Sequence, residues 1–332
     1  MSAIPLATES ADPHPHDLRA PVPDRLPGAV VRELSAIDPA RALGAVAVEW
    51  AGIVAAILLA ELARAYVPAA VWLYPLVVVW IGARQHALTV IGHDAVHHRF
   101  LPDRRWNDWV ADLFVLWPVF VTVEGFRKFH GEHHQHLGVE GDGNRFLWRT
   151  HHPDGTLRPE WIYPKTPLGF AAKVLRRAAF FTGVFWMLRG VVGSLLFARS
   201  AAARLARLAW WGAVITTFTL TDTWGALLVY WIVPYCTWHL AIQYIRLACE
   251  HSAVPSAHPA YGQTRTTIPH VWERWLILPR NIGYHLEHHW YPAVPCYRLP
   301  DLHAALMAKP GFRDRAVVTH SVAASVAQMV GR

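Results

Sequence analysis

Four stretches of this chain are long and apolar enough to cross a bilayer as helices, for which ~20 residues are needed. They lie at roughly 44–66, 69–91, 207–222 and 223–247, and they pair into two hairpins with turns at Tyr66-Val67-Pro68 and Thr221-Asp222-Thr223. The composition agrees: 53% of the residues are hydrophobic, 17% are charged and 17 are Trp, a ring that seeks membrane interfaces. The formal charge of +7 comes without the basic stripe that nucleic-acid binding requires, and basic cytoplasmic loops account for it better. With three cysteines, Cys236, Cys249 and Cys296, and no C-x-x-C, neither a disulfide framework nor a zinc–thiolate site is expected. Residues 1–40 are polar and Pro-rich, with acidic residues ahead of any apolar run. They read as a disordered cytoplasmic tail rather than a secretory signal, with His14 and His16 solvated.

Between and after the spans lie three histidine clusters: His93/His97/His98 in GHDAVHH, His130/His133/His134 in FHGEHHQH and His285/His288/His289 in YHLEHHWYP. Residues three and four apart share a helix face, so H-x-x-x-H and H-x-x-H-H each aim their imidazoles at one point. His98 is five residues after His93 and is rotated by about 140° from it, which favours His97. Eight convergent nitrogens suit two metal ions and exceed what one tetrahedral zinc can use.

A shared metal site restricts the topology. If 106–124 crossed the membrane once, the first and second clusters would lie on opposite faces, so that stretch must lie in the interface or re-enter. Arg189, central in 178–197, argues the same there, since a central Arg costs ~2.5–3.5 kcal/mol on insertion scales. Four crossings put all three clusters on one side. The loops holding them carry Arg99, Arg104, Arg105, Arg127, Lys128, Arg145, Arg149, Lys165, Lys173, Arg176 and Arg177, whereas the hairpin turns carry almost no basic residue; that side, with both termini, is therefore expected to be cytoplasmic. The expected fold is an all-α integral membrane protein, four transmembrane helices in two hairpins with interfacial or re-entrant helices and a histidine-rich di-metal cap. Its domain spans 41–310, followed by a C-terminal tail at 311–332.

In GHDAVHH (92–98), FRKFHGEHH (126–134) and NIGYHLEHHWYPAVPCYRLP (281–300), the chain resembles the membrane-bound histidine-box fatty acid desaturase and hydroxylase superfamily over about residues 45–305. The HD-x-x-H form of the first box, with Asp94 after the first His, is close to the acyl-lipid desaturase pattern. The resemblance implies iron ligation by His93, His97, His130, His133, His134, His285, His288 and His289. It implies a further ligand after the last span, a place that His251 fits. Ligating imidazoles usually donate their second N–H to a carboxylate or carbonyl, which makes Asp94, Glu132, Glu250 and Glu287 candidate supports, with His98 beside them. Arg246 and Glu250 also read as a plain i, i+4 ion pair. Asn281 reads as a ligand through water, a supporting donor or a helix-capping Asn. His86, seven residues before His93, reads either as lining a substrate passage or as a buried His bonded to a neighbouring helix. His136, His151, His152, His239, His258, His270, His303 and His320 have no convergent partner pattern.

Glu-x-x-His, the mark of soluble di-iron bundles, is absent from the sequence. By the resemblance, the chain is expected to be an oxygen-dependent oxidoreductase that uses two iron ions and molecular oxygen to introduce a double bond into a lipid or fatty acyl substrate reached from the bilayer. Lipid hydroxylation or carotenoid-type ketolation uses the same boxes and stays open. A zinc-dependent lipid amide hydrolase would need about three ligands and leave most of the boxes unexplained, and a non-catalytic metal sensor is a third class. No HPGG haem-domain signature is present, so electrons are expected from a separate ferredoxin-like or flavin-linked donor.

Overall fold

The computed structural model describes residues 24–331 apart from 139–140, 145–147, 152–156, 257 and 259, so the expectations on residues 1–23, with His14 and His16, and on His152 lie outside the described residues. A short helix α1 (Gly28–Leu34) precedes α2 (Pro39–Tyr66), which starts on a side-chain cap: Asp38 accepts from the amides of Ala40 and Arg41. A 3-10 turn over Pro68–Leu73 leads into α3 (Tyr74–Val96), which packs against α2. Helix α4 (Arg104–Ala111) runs on through a π-helical segment, Asp112–Leu116, to a 3-10 turn, Trp117–Val119, and the chain then bends by 86° into α5 (Val123–Gln135). After an antiparallel pair, β1 (Trp148–His151) and β2 (Leu157–Trp161), come α6 (Pro167–Ala178) and α7 (Phe180–Leu196), bent by 58° against each other.

Helix α8 (Ala201–Leu220) turns back through Thr221–Thr223 into α9 (Trp224–Leu227), and the same helical rod passes through two π-helical segments to α10 (Leu240–His251). The chain closes with β3 (Thr266–Thr267), α11 (Val271–Leu276), α12 (His285–Trp290), α13 (Leu299–Met307), α14 (Pro310–Arg315), β4 (Val318–Thr319), parallel to β3, and α15 (Val322–Val330).

Among the described residues, three helical stretches are long and apolar enough to cross a membrane: Pro39–Tyr66, Pro68–Val96 and Trp224–His251. Leu58, Leu59 and Leu62 of α2 are exposed, as side chains facing lipid would be. The stretch expected as a third span is not one of the three: its helix begins earlier than expected, at Ala201, and takes in Arg204 as well as Arg207. Arg207 is buried and pairs with Glu124 of α5 at 2.7 Å. Each bent pair, α4–α5 and α6–α7, is apolar enough to count as one broken span or a re-entrant loop.

The structure corrects three expectations. Residues 24–40 are not a tail. Leu26 and Leu34 are buried in one core with Tyr261, Leu286 and Phe312, while Tyr291 Oη accepts from the Leu26 amide at 2.9 Å and Tyr297 Oη from the Asp38 amide at 2.7 Å. The segment from residue 311 onward is no tail either. It completes α14 and forms β4 and α15, with Phe312, Val322 and Met329 buried. Nor is the fold purely helical, since two two-stranded sheets occur among the described residues, and β3 with β4 ties the chain end to the segment just before α12.

Candidate metal centre

The first cluster sits at the C-terminal end of α3, where Gly92 lets the helix approach its neighbour. A Cβ there would fall 2.3 Å from a methyl group of Leu116. The helix ends at Val96, so His97 is its cap residue, and His98 follows with φ 57°. His130, His133 and His134 lie on α5, whose start is capped by Thr122 accepting from the Gly125 amide. His251 is the last residue of α10, and His285, His288 and His289 lie on α12.

These nine imidazoles gather in two groups. His93, His97, His130, His134 and His288 form one, and His133, His251, His285 and His289 the other; within each group the nearest ring nitrogens all lie within 4.8 Å of one another. The second and third clusters each contribute to both groups, so the two groups adjoin. In the first, His130 Nε2 lies 2.8 Å from His93 Nε2 and 2.9 Å from His134 Nε2, and His134 Nε2 lies 3.0 Å from His288 Nε2. In the second, His285 Nε2 lies 3.0 Å from His251 Nε2 and 3.1 Å from His289 Nε2.

The outer nitrogens explain why the inner ones can bind a cation. His133 Nδ1 donates to Asp142 at 2.8 Å and His251 Nδ1 to the Gln263 carbonyl at 2.9 Å, which assigns the proton to Nδ1 and leaves Nε2 an acceptor. His97 Nε2 is buried with no hydrogen-bond partner among the described residues. Converging lone pairs repel unless a cation lies between them, and nitrogens about 3 Å apart match neighbouring ligands at about 2.1 Å from one ion. Burial, and then the neighbouring imidazoles, hold His130, His134, His285, His288 and His289 well below the ordinary histidine range. Burial, with Arg127 and Arg99 behind it, brings His97 to about 4. Neutral imidazole is the form that binds metal. The donor set thus fits two metal ions.

The remaining candidates divide. His98 is turned away from both groups, 3.3 Å from Arg127 and 3.8 Å from Asp108. Glu250 pairs with Arg246 at 2.9 Å and comes within 3.5 Å of His285 Nδ1 without a hydrogen bond to it, so the ion pair is its described role. Asp94 accepts from the Cys296 amide at 2.9 Å and so ties α3 to the segment after α12. Glu287 is held by Thr266 and by His303 Nδ1 at 2.5 Å. Glu132 is half-buried, and its carbonyl accepts from His136. Asn281, with φ 60°, spends its amide on the Cys296 carbonyl at 3.1 Å, and α12 begins only at His285, so it neither caps that helix nor donates to an imidazole of either group. His86 is fully buried edge-on to His239, with ring centroids 5.7 Å apart, and stays outside the wall of the cavity that adjoins the two groups.

Sequence reasoning missed Asp142 and Asn144, whose amide lies 3.1 Å from His133 Nδ1, and it missed the roles of Gln263, Thr266 and His303. The signal for the first two was the turn Gly141-Asp142-Gly143-Asn144. Gly141 has φ 98°, and a Cβ at Gly143 would fall 2.3 Å from the Phe129 carbonyl, so the turn folds tightly onto α5.

A cavity of about 860 Å³ opens between α5, α7 and α10. His130, His133 and His285 form one part of its wall, and Phe120, Phe126, Trp186, Tyr235 and Leu240 supply an apolar lining.

Membrane-length apolar helices and two adjoining histidine groups able to hold metal give the chain the make-up of a membrane protein with a metal-binding centre. The chain belongs to the fatty acid desaturase family, whose pattern it matches over residues 69–321. It is 28% identical over 297 residues to a dihydrorhizobitoxine desaturase of Bradyrhizobium elkanii, covering 85% of this chain and 80% of that one. It is 26% identical to the human sphingolipid delta(4)-desaturase/C4-monooxygenase DES2, over 66% of this chain and 61% of the relative, and 26% identical to an sn-1 oleoyl-lipid 12-desaturase of Anabaena variabilis, over 69% and 67%. It is thus an oxidoreductase of the fatty acid desaturase type.

Proposed function

We propose that the protein is an oxygen-dependent di-iron enzyme that introduces a double bond into a fatty acyl chain. The observation that carries this reading is the gathering into two adjoining groups of nine imidazoles, three of which, His130, His133 and His285, reach the wall of a cavity partly lined by apolar side chains. His93, His97, His130, His134 and His288 would hold one iron, and His133, His251, His285 and His289 the other. When bound and supplied with two electrons by a separate ferredoxin-like or flavin-linked donor, the two irons provide the oxidising power to remove two hydrogens from adjacent carbons, which end, with two further protons and one dioxygen, as two waters.

The protein groups have narrower tasks. Asp142 and the Gln263 carbonyl hold the protons of His133 and His251 on the outer nitrogen, and the rings of Phe120, Phe126 and Tyr235 keep water from the alkyl chain. The relatives are named for different substrates and share desaturation, which favours that reaction here. The human relative's second name, C4-monooxygenase, keeps hydroxylation as the second reading.

The topology that goes with this reading has four crossings, with α8 as the third, α4–α5 and α6–α7 not crossing, and the histidine groups and both termini cytoplasmic. The alternation of basic cluster-bearing loops with turns poor in basic residues supports it. Mass spectrometry of lipids from cells expressing the protein or its His288→Ala variant tests the reaction. Species lighter by two hydrogens, present only with the intact protein and with oxygen, are expected. An added oxygen atom would replace desaturation by hydroxylation, and one zinc per chain with no oxygen requirement would end the di-iron reading.

A further inference from the structure

Two helical walls of the cavity run side by side and meet at both ends. At one end His133 of α5 lies edge-on to His251 of α10, with ring centroids 4.9 Å apart. At the other end Phe120, just ahead of α5, lies edge-on to Tyr235, in the π-helical segment just ahead of α10, at 4.8 Å. Between these contacts the wall follows one helical rod through Tyr235, Leu240, Gln243, Leu247 and Glu250. Fifteen positions of helix separate the first of these from the last, so the two ends stand about 20 Å apart.

The end remote from the imidazoles is closed. The Phe120 ring stacks on Trp211 of α8 with centroids 5.6 Å apart, and the Tyr235 ring stacks on His239 at 4.7 Å. Helix α7 presses onto the backbone behind both: a Cβ at Gly183 would collide with the Cys236 carbonyl, and one at Gly190 with the Phe120 carbonyl. Phe120 and Tyr235 are buried, whereas Lys128, Phe197 and Arg199 of the same cavity wall are exposed and mark its rim. Phe120 holds its place with φ 60°, a left-handed conformation that is costly for a bulky side chain, and Tyr235 stands in a π-helical departure from the α-helix. Both kinds of irregularity concentrate at functional sites.

We propose that Phe120 and Tyr235 seat the methyl end of the substrate's alkyl chain, and that the span from this pair to the imidazoles selects the reacting carbons by their distance from the methyl end. The inference deepens the desaturase reading and rests on it for the reaction, while seating of the chain is separable from it. Aromatic rings with Leu240 beside them suit a methyl terminus, and a polar head group is better solvated at the exposed rim.

The test supplies tetradecanoate, hexadecanoate and octadecanoate to cells expressing the full-length protein and locates the new double bonds by ozonolysis and mass spectrometry. Wild-type protein should place the bond at the same distance from the methyl carbon in all three products. Phe120→Gly, which removes the ring and suits the left-handed backbone, and Tyr235→Ala should each move the bond a carbon or more away from the methyl end, because the chain sinks into the vacated space. Tyr235→Phe keeps the ring and should match the wild type. A constant distance from the carboxyl carbon in the wild type, or a bond that stays in place in both Phe120→Gly and Tyr235→Ala, overturns the proposal. Equilibrium dialysis of the same three alkanoates against the purified, iron-loaded protein in a neutral detergent reads seating without turnover. With iron content equal to the wild type, which shows that they are folded around the metal centre, Phe120→Gly and Tyr235→Ala should favour a longer alkanoate than the wild type does; an unshifted preference in both also overturns the proposal. Should the preference shift while lipids of expressing cells gain no double bond, the desaturase reading fails and the methyl seat stands. Double bonds held at a constant distance from the carboxyl carbon have the opposite meaning: the methyl seat fails and the desaturase reading stands.

Discussion

His97 and His98 are chain neighbours with opposite surroundings. The first presents a buried, unpartnered Nε2 to a group of imidazoles, and the second turns through a left-handed backbone to Arg127 and Asp108. His97→Ala should therefore lose bound metal while His98→Ala retains it, as metal analysis of the purified variants would show; equal loss would mean that both residues bind. Asp142 touches only the outer nitrogen of His133, yet it fixes which nitrogen faces the group. Asp142→Ala is expected to weaken metal affinity by about 10–100-fold, read by competition with a chelator, and an unchanged affinity would assign the contact to packing alone. Eight of the nine imidazoles can be picked out in the sequence because three- and four-residue spacing on a helix is itself a geometric statement; His251 stands alone in the chain and is reached only through the family resemblance. Asp142 cannot, because its approach depends on the turn through Gly141 and Gly143.

At the scale of elements, a buried charge node joins α2 to the loop ahead of α12. Glu49 accepts from Arg84 at 2.8 Å and from Arg280 at 2.7 Å, and Glu49 and Arg84 are almost wholly buried. Glu49→Gln should destabilise the protein by about 3–5 kcal/mol, because it leaves two guanidinium groups without a counter-charge. Thermal unfolding in detergent, followed by circular dichroism, checks this; a midpoint equal to the wild type would show that water reaches the node. The first two spans are legible as long apolar runs. The ordered ends are not: Leu26, Leu34, Phe312 and Met329 are too sparse to form a periodic pattern and gain meaning only from the core they enter. The start of α8 departs from the apolar run for a related reason, since Arg204 and Arg207 interrupt that run while the helix continues through them.

For the whole molecule, each histidine group draws on distant parts of the chain. His93 meets His130 across 37 positions, His134 meets His288 across 154, and His251 meets His285 across 34. A metal ion held by such a set closes long loops, so its removal should loosen the fold as well as empty the site. Chelation is expected to lower the unfolding temperature and to increase hydrogen exchange in α5 and α12 together, and exchange confined to one of them would show that the two groups are independent. The same wiring sets an order for biosynthesis. Neither group has all its members until α12 has left the ribosome, and by then each of the described membrane-length apolar segments has already been made. Metal would therefore be captured by a chain that is already inserted, and a nascent chain halted before His285 would have only partial sets of imidazoles to offer.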